Sequence, residues 1–414
     1  MSDETTTQKT LEAFFGLTSF RPNQEAIIAD ILSGRDVLAI MATGGGKSLC
    51  YQLPAVKLGG LSVVVSPLIA LMKDQVDSLL DQGIEAALIT SSQTYDQRKA
   101  VEAAIRNGNV RILYVSPERM ALPPFQQLLR EAGPKLFAID EAHCISHWGH
   151  QFREDYRSLS LIRDTFPEVP IIALTATATE EVRDDIIREL RLRSPSRYIG
   201  SFDRENIRYT VREVATEKER FRRLVQFISN NHPGSGIVYC RSRKSVEETA
   251  ENLRERGIPA LPYHAGLSAN ERIRVQNAFL RGEIRVISAT VAFGMGIDKP
   301  DVRFVAHYHP PKDIESFYQE SGRAGRDGKP SESLLLYSRS DFIIAEKLIT
   351  QEYHGRENYP VRLANLSRMA AWCSRDGCRR RSLLAHFGEK YPASRCGTCD
   401  GCDALKREKK AGKR

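Results

Sequence analysis

No stretch of this chain approaches the roughly 20 apolar residues that a membrane-spanning helix needs. Its first residues, Met-Ser-Asp-Glu-Thr-Thr-Thr-Gln-Lys, are polar and acidic where a secretory signal is basic and then apolar. No repeat of fixed short period runs through the 414 residues, a length that suits two or three globular domains. Cysteine is thinly spread. Of eight, Cys50, Cys144 and Cys240 stand alone, while five crowd between Cys373 and Cys402, which argues against a disulfide framework and for a metal site. Charge of one sign is in only modest excess: 60 basic residues face 52 acidic ones, and the net +8 favours a polyanionic partner.

What the chain does have is alternation. Apolar runs at residues 36–40, 61–65, 111–115, 136–139 and 171–174 read as buried parallel strands, each ending in a polar or glycine-containing turn. A second series lies at 236–240, 260–263, 285–288, 302–306 and 334–337, separated by helical patterns such as 244–256 and 269–281. Strand–helix alternation of this kind builds doubly wound α/β sheets, and two series predict two such domains with a junction near residues 201–209. Past Ser338 the pattern turns helical and then cysteine-rich.

The segment Met41-Ala-Thr-Gly-Gly-Gly-Lys-Ser48 follows the first strand and opens a helix. Glycines let backbone N–H groups converge on a polyphosphate, and the helix N-terminus adds positive potential. Lys47 is expected on the β- and γ-phosphates and Ser48 on Mg²⁺. The strict pattern has Gly where Met41 stands, so this is a variant. Asp140-Glu-Ala-His143 follows the strand at 136–139. There Asp140 is expected to hold Mg²⁺ and Glu141 to orient or deprotonate the attacking water. In Gln319-Glu-Ser-Gly-Arg-Ala-Gly-Arg-Asp327, Arg326 is the expected arginine finger and Arg323 a second phosphate contact. An arginine supplied from the other domain would tie hydrolysis to domain motion. Cys144-Ile-Ser-His-Trp-Gly-His-Gln-Phe-Arg153 places Trp148 and Phe152 to stack on unpaired bases, about 1–3 kcal/mol each, with Arg153 for phosphate attraction. Cys378, Cys396, Cys399 and Cys402 offer four thiolates, a set that suits structural Zn²⁺.

Read together, these stretches resemble the RecQ family of superfamily 2 DNA helicases across most of residues 14–403. Also matching in family order are Phe20-Arg-Pro-Asn-Gln24, Ser66-Pro-Leu-Ile-Ala-Leu-Met-Lys73, Ser116-Pro-Glu-Arg119, Thr175-Ala-Thr-Ala178, Tyr263-His-Ala-Gly-Leu267 and Ala289-Thr-Val-Ala-Phe-Gly-Met-Gly-Ile-Asp298. The resemblance implies two tandem RecA-like parallel-sheet domains at 1–203 and 204–338 and a helical zinc-binding subdomain at 339–404; the charge run at 405–414 is expected to be a basic, disordered tail. It implies that Arg21 and Gln24 read adenine, that Thr43, Gly44, Gly46 and Asp298 join the ATP site, and that Leu17 replaces the usual stacking aromatic. Ala42 stands where the family commonly has Pro. Ser66, Lys73, Ser116, Arg241, Ser242, His264 and Thr290 take positions that resemble backbone-contacting DNA ligands, with Thr175 and Thr177 linking them to the nucleotide. His386 stands in place of an aromatic and is not expected to displace any of the four cysteines as a metal ligand, and Cys373 is expected to be a buried spare thiol.

The function this implies is an ATP-dependent 3′→5′ DNA helicase of recombination and repair, using ATP, Mg²⁺ and Zn²⁺. Its substrates would be single-stranded and forked or tailed duplex DNA, with single-strand-binding or repair proteins as further partners. A monomer in the bacterial cytoplasm, associated with the nucleoid, is expected. The alternatives are a DNA-stimulated ATPase that remodels complexes without unwinding, and an RNA remodeller. Longer family members continue into a winged-helix domain, and a chain ending at residue 414 is expected to grip a fork less firmly.

Overall fold

In the computed structural model, residues 3–42, 44–90, 93–149, 151–231, 233–294 and 299–411 are described, with the side chains of 3–6 and 407–411 left aside. Two compact units emerge, Met1–Ser201 and Phe202–Arg414. Among the described residues no helix is long and apolar enough to cross a membrane.

The first unit is built on seven strands: β1 (Val37–Ile40), β2 (Ser62–Val65), β3 (Ala86–Ile89), β4 (Ile112–Val115), β5 (Leu136–Ile139), β6 (Ile171–Thr175) and β7 (Ser196–Ile199). Their order is β3-β4-β2-β5-β6-β1-β7 and every pairing is parallel. Helices cover both faces, so β1, β2, β4, β5 and β6 are buried along their whole length. This is why their sequences read as unbroken apolar runs. One core layer joins Ile27, Val37, Tyr51, Val64, Tyr114 and Ile172. The second unit repeats the plan with β8 (Ile207–Glu213), β9 (Ser235–Tyr239), β10 (Ala260–Tyr263), β11 (Val286–Ala289), β12 (Val302–His307) and β13 (Ser331–Tyr337). Its order is β10-β11-β9-β12-β13-β8, again parallel. Both sheets have the doubly wound architecture expected.

Three strands were not expected: β3, β7 and β8. All lie at sheet edges. β7 and β8 alternate inward and outward residues, and β3 is only half-buried, so none presents the continuous apolar run that marks a central strand.

After β13 the chain forms the helices Arg339–Tyr353, Tyr359–Ser374, Arg379–His386 and Asp400–Ala411. The last corrects the expectation of a disordered tail. Lys, Arg, Glu and Ala are strong helix formers, and Asp400 and Asp403 favour its first turn. Helix continues to Ala411, and the residues beyond lie outside those described.

Candidate functional site

In a doubly wound sheet the loops at the carboxyl ends of the strands form the working edge. The glycine-rich turn leaves β1 there. Gly44 and Gly46 adopt φ of +80° and +79°, a left-handed region costly for other residues. A Cβ on Gly46 would sit 2.5 Å from Gln24 Nε2, so close approach and backbone conformation both require glycine. Gln24, 2% exposed, donates through Nε2 to Gly46 O at 3.0 Å and accepts at Oε1 from Arg21 N at 2.8 Å. Arg21 Nη1 donates to Gly44 O. The two residues expected to read adenine therefore hold the carbonyls of the phosphate turn in this structure, while Leu17 is 45% exposed. Met41 is 6% exposed, extends the sheet through its N–H to Thr175 O at 3.0 Å, and rests its sulfur 3.7 Å from Cys50 Sγ. The absent first glycine is thus an apolar anchor for the turn. Lys47 Nζ donates to Met41 O at 3.3 Å, and Ser48 begins the helix Leu49–Leu58. Thr43 lies outside the described residues.

Asp140 caps β5 and is 9% exposed. Burial, joined by the neighbouring Glu141 charge, pushes its carboxyl up to about 7, against the pull of Lys47. Its backbone is fixed by Val65 O at 2.9 Å and by the Tyr156 hydroxyl at 2.9 Å. Glu141 adopts φ +47°, a strained conformation for a non-glycine residue. Its Oε2 is buried, accepts no hydrogen bond, and lies 3.3 Å from His143 Nδ1. That nitrogen is also 2.7 Å from Thr175 Oγ1, which shares hydrogen bonds with Thr177. Two adjacent carboxylates, one raised and one with an orphaned oxygen, fit a divalent cation and a polarised water.

A buried polar chain leads away from the turn. The hydroxyls of Tyr51 and Tyr114 lie 3.3 Å apart, and Gln52 Nε2 reaches both Tyr114 at 3.2 Å and Gln75 Oε1 at 3.0 Å. It connects the helix that Ser48 opens to Ile69–Asp81, which carries the exposed Lys73. Sequence reasoning missed it, because its members are up to 63 residues apart.

The segment after Glu141 is a short 3-10 turn, Ala142–Ile145, then an irregular loop. Trp148 is 51% exposed, so it is no core residue. Phe152 stacks on His147 with centroids 4.0 Å apart. Arg153 Nη1 donates to Pro67 O at 3.3 Å, tying this loop to the one after β2. Ser66 in that loop is 2% exposed, and its buried Oγ makes no hydrogen bond. Ser116, after β4, is half-buried.

In the second unit, Arg323 is 8% exposed and its buried Nε makes no hydrogen bond. Arg326 is half-buried in the same segment. Arg241 follows β9 and donates to Asp341 Oδ1 at 3.1 Å. Ser242 caps the helix Arg243–Glu255 by accepting from Ser245 N at 3.2 Å. His264 follows β10, is 3% exposed, and pairs with Glu247 at 3.1 Å and Gly266 N at 3.2 Å. Thr290, after β11, accepts from Ala292 N at 3.4 Å. Asp298 lies outside the described residues.

The sulfurs of Cys378, Cys396, Cys399 and Cys402 all lie within 4.8 Å of one another. Backbone N–H groups already point at two of them, Cys396 N at Cys378 Sγ (3.2 Å) and Arg379 N at Cys399 Sγ (3.3 Å). Four soft donors with such support fit a closed tetrahedral Zn²⁺ site. His386 stands apart from the cluster, its Nε2 2.8 Å from Glu315 Oε1, and Cys373 is buried.

Three family descriptions match consecutive parts of the chain: DEAD/DEAH box helicase over residues 21–185, helicase conserved C-terminal domain over 219–328, and RecQ zinc-binding over 339–403. The chain is 47% identical over 392 residues to the ATP-dependent DNA helicase RecQ of Pasteurella multocida, covering 95% of this chain and 61% of that protein. It is 46% identical over 400 residues to the protein of the same name from Haemophilus influenzae, covering 97% and 64%. The chain thus spans less than two thirds of the length of these relatives. Among solved structures, the Mycobacterium smegmatis helicase Lhr bound to single-stranded DNA and AMP-PNP superposes with a TM-score of 0.64 over 91% of this chain and 55% of that one. At 20% identity that likeness speaks for the fold alone.

Proposed function

Since this chain belongs to the RecQ family of helicases, we propose that it hydrolyses ATP to move 3′→5′ along single-stranded DNA and separate tailed or forked duplexes. The observation that carries this reading is the buried acid pair, Asp140 with its raised carboxyl and Glu141 with its unsatisfied Oε2, on the same sheet edge as the glycine-rich turn.

The turn's N–H groups and Lys47 cradle the phosphates. Ser48 and Asp140 would hold a divalent cation, which would supply charge neutralisation for the phosphates. Glu141 Oε2 orients the attacking water and takes its proton. Arg21 and Gln24 sense the adenine edge and transmit that contact to the carbonyls they hold. Arg326 and Arg323 meet the charge that develops on the transferred phosphate. Asp298 and Thr43 complete the nucleotide contacts. Trp148 and Phe152 stack on bases, while Arg153, Lys73, Ser66, Ser116, Arg241, His264 and Thr290 line the path of the phosphate backbone. Backbone contacts grip without reading sequence, as a translocating enzyme requires. The four cysteines hold a structural Zn²⁺. The working place is the bacterial cytoplasm, on recombining or damaged DNA.

Lys47→Ala and Asp140→Ala are each expected to lower DNA-stimulated ATP turnover by about 100-fold or more. The parent should unwind a 3′-tailed duplex and leave a 5′-tailed one intact. Turnover without strand separation on either tail would replace the helicase reading with that of a DNA-stimulated remodelling ATPase.

A further inference from the structure

The helix Ile314–Ser321 ends where the arginine segment begins, and its last turn carries no basic residue. A helix end leaves carbonyls without intrahelical partners and a partial negative charge. Here one side chain, distant in sequence, takes that role. Arg204 donates through Nη1 to Gly322 O at 2.8 Å and through Nη2 to Ala324 O at 2.9 Å and Gly325 O at 3.1 Å. Its fork therefore grips the backbone on both sides of Arg323. Asn206 adds a second hold, donating through Nδ2 to Gly325 O at 2.8 Å and Lys329 O at 2.9 Å. Gly325 has φ +59°, and a Cβ there would lie 2.3 Å from Asn206 Nδ2. The segment is thus folded onto the Asn206 amide at a point that only glycine allows. Neither residue belongs to a motif the sequence singled out.

We propose that Arg204, assisted by Asn206, is a positioning residue that holds the backbone of residues 322–325 so that Arg323 and Arg326 are presented to phosphate in one fixed geometry. A planar fork bonded to three carbonyls restricts the segment in a way that a single-point ammonium does not. Arginine charge stabilises a transition state only when the guanidinium is already placed, because reorganisation during the reaction would consume the gain. Loosening the brace should therefore lower kcat while leaving ground-state nucleotide binding almost unchanged.

This rests on the arginine-segment reading above, so the experiment separates the two. DNA-stimulated ATP hydrolysis is measured for Arg204→Ala, Arg204→Lys, Asn206→Ala, Arg326→Ala and Arg204→Ala/Arg326→Ala, with zinc content and Tm for each. Arg204→Ala is expected to lose about 10-fold or more in kcat, with KM for ATP within about twofold, unchanged zinc and partial rescue in Arg204→Lys. The double variant should be no slower than Arg326→Ala, because a group that acts through another adds nothing once that other is gone. Normal turnover in Arg204→Ala beside a crippled Arg326→Ala overturns the brace, as do additive losses in the double variant. Full activity in Arg326→Ala instead overturns the arginine-segment reading and the brace with it. If Arg204→Ala does not fold, Arg204→Lys and Asn206→Ala decide, and normal kcat in both overturns the proposal.

Discussion

His309 is 8% exposed and shares its surroundings with Arg241, Arg220 and Asp341. Burial, reinforced by the two guanidinium groups and opposed by Asp341, drives its pKa down to about 3. In the unfolded chain the ring charges below about 6.5. The unfolded state thus binds more protons between about pH 6.5 and 3, and stability falls as pH is lowered through that window, by up to about 1.4 kcal/mol per unit. His309→Asn keeps an acceptor for the Arg241 N–H and removes the titration. Its Tm should decline less steeply than the parent's between pH 6.5 and 4, and parallel slopes would contradict the assignment. Asp341 adds a loss at lower pH. Burial alone would raise its carboxyl, but Arg220 at 2.7 Å outweighs this and holds it below its usual range. Its stabilisation is present above about pH 4 and disappears as pH falls further. Gly46→Ala should weaken ATP binding about tenfold or more, since it strains a left-handed residue and displaces the Gln24 amide. Isothermal titration with a non-hydrolysable analogue measures this. At this scale the glycine-rich turn with Lys47, the acids at the end of β5 and the convergence of the four cysteines could be placed from sequence, because each is written in spacings of a few residues. Arg204 and Tyr114 were not, because their partners lie 118 and 63 residues away.

Among elements, the helix Arg379–His386 links the cysteine cluster to the chain before β8. Its N-cap is Cys378. Arg379 donates to Asp400 at 3.2 Å, Arg380 pairs with Asp203 and donates to Ile207 O at 2.8 Å. Phe387, just past its end, stacks on Phe202 with centroids 4.5 Å apart and planes 6° from parallel. The cysteine region and the chain just before β8 are thus packed together through this helix. Cys399→Ser should lose zinc and lower Tm by about 10 °C, measured by metal analysis and calorimetry. Central strands were readable from the sequence because burial on both faces leaves only apolar residues. The edge strands β3, β7 and β8 were not, unlike the edge strand β10, and the last helix was mistaken for a tail because a charge run says nothing of backbone conformation when its residues are also good helix formers.

At the scale of the whole molecule, the net charge of +8 is uneven over two units, each with its own core: residues 1–201 are net acidic and residues 202–414 carry the whole basic excess. Affinity for single strands should fall about 50–300-fold over a fourfold rise in salt if about four to six phosphates are engaged. Fluorescence anisotropy with a labelled oligonucleotide tests this, and a salt-independent affinity would exclude a phosphate-tracking groove. The order of the first sheet carries a different consequence, one of time. β1 pairs only with β6 and β7, whose residues follow it by about 130 positions or more. At roughly 5–20 residues per second, the ribosome makes those partners some ten seconds after the glycine-rich turn has been translated. A nascent chain stalled before Ile171 holds every letter of the phosphate turn and neither of the strands that pair with β1. Nucleotide capture by ribosome-bound chains should appear only once β7 has emerged, which makes ATP a reporter of when the first half of the protein has finished folding.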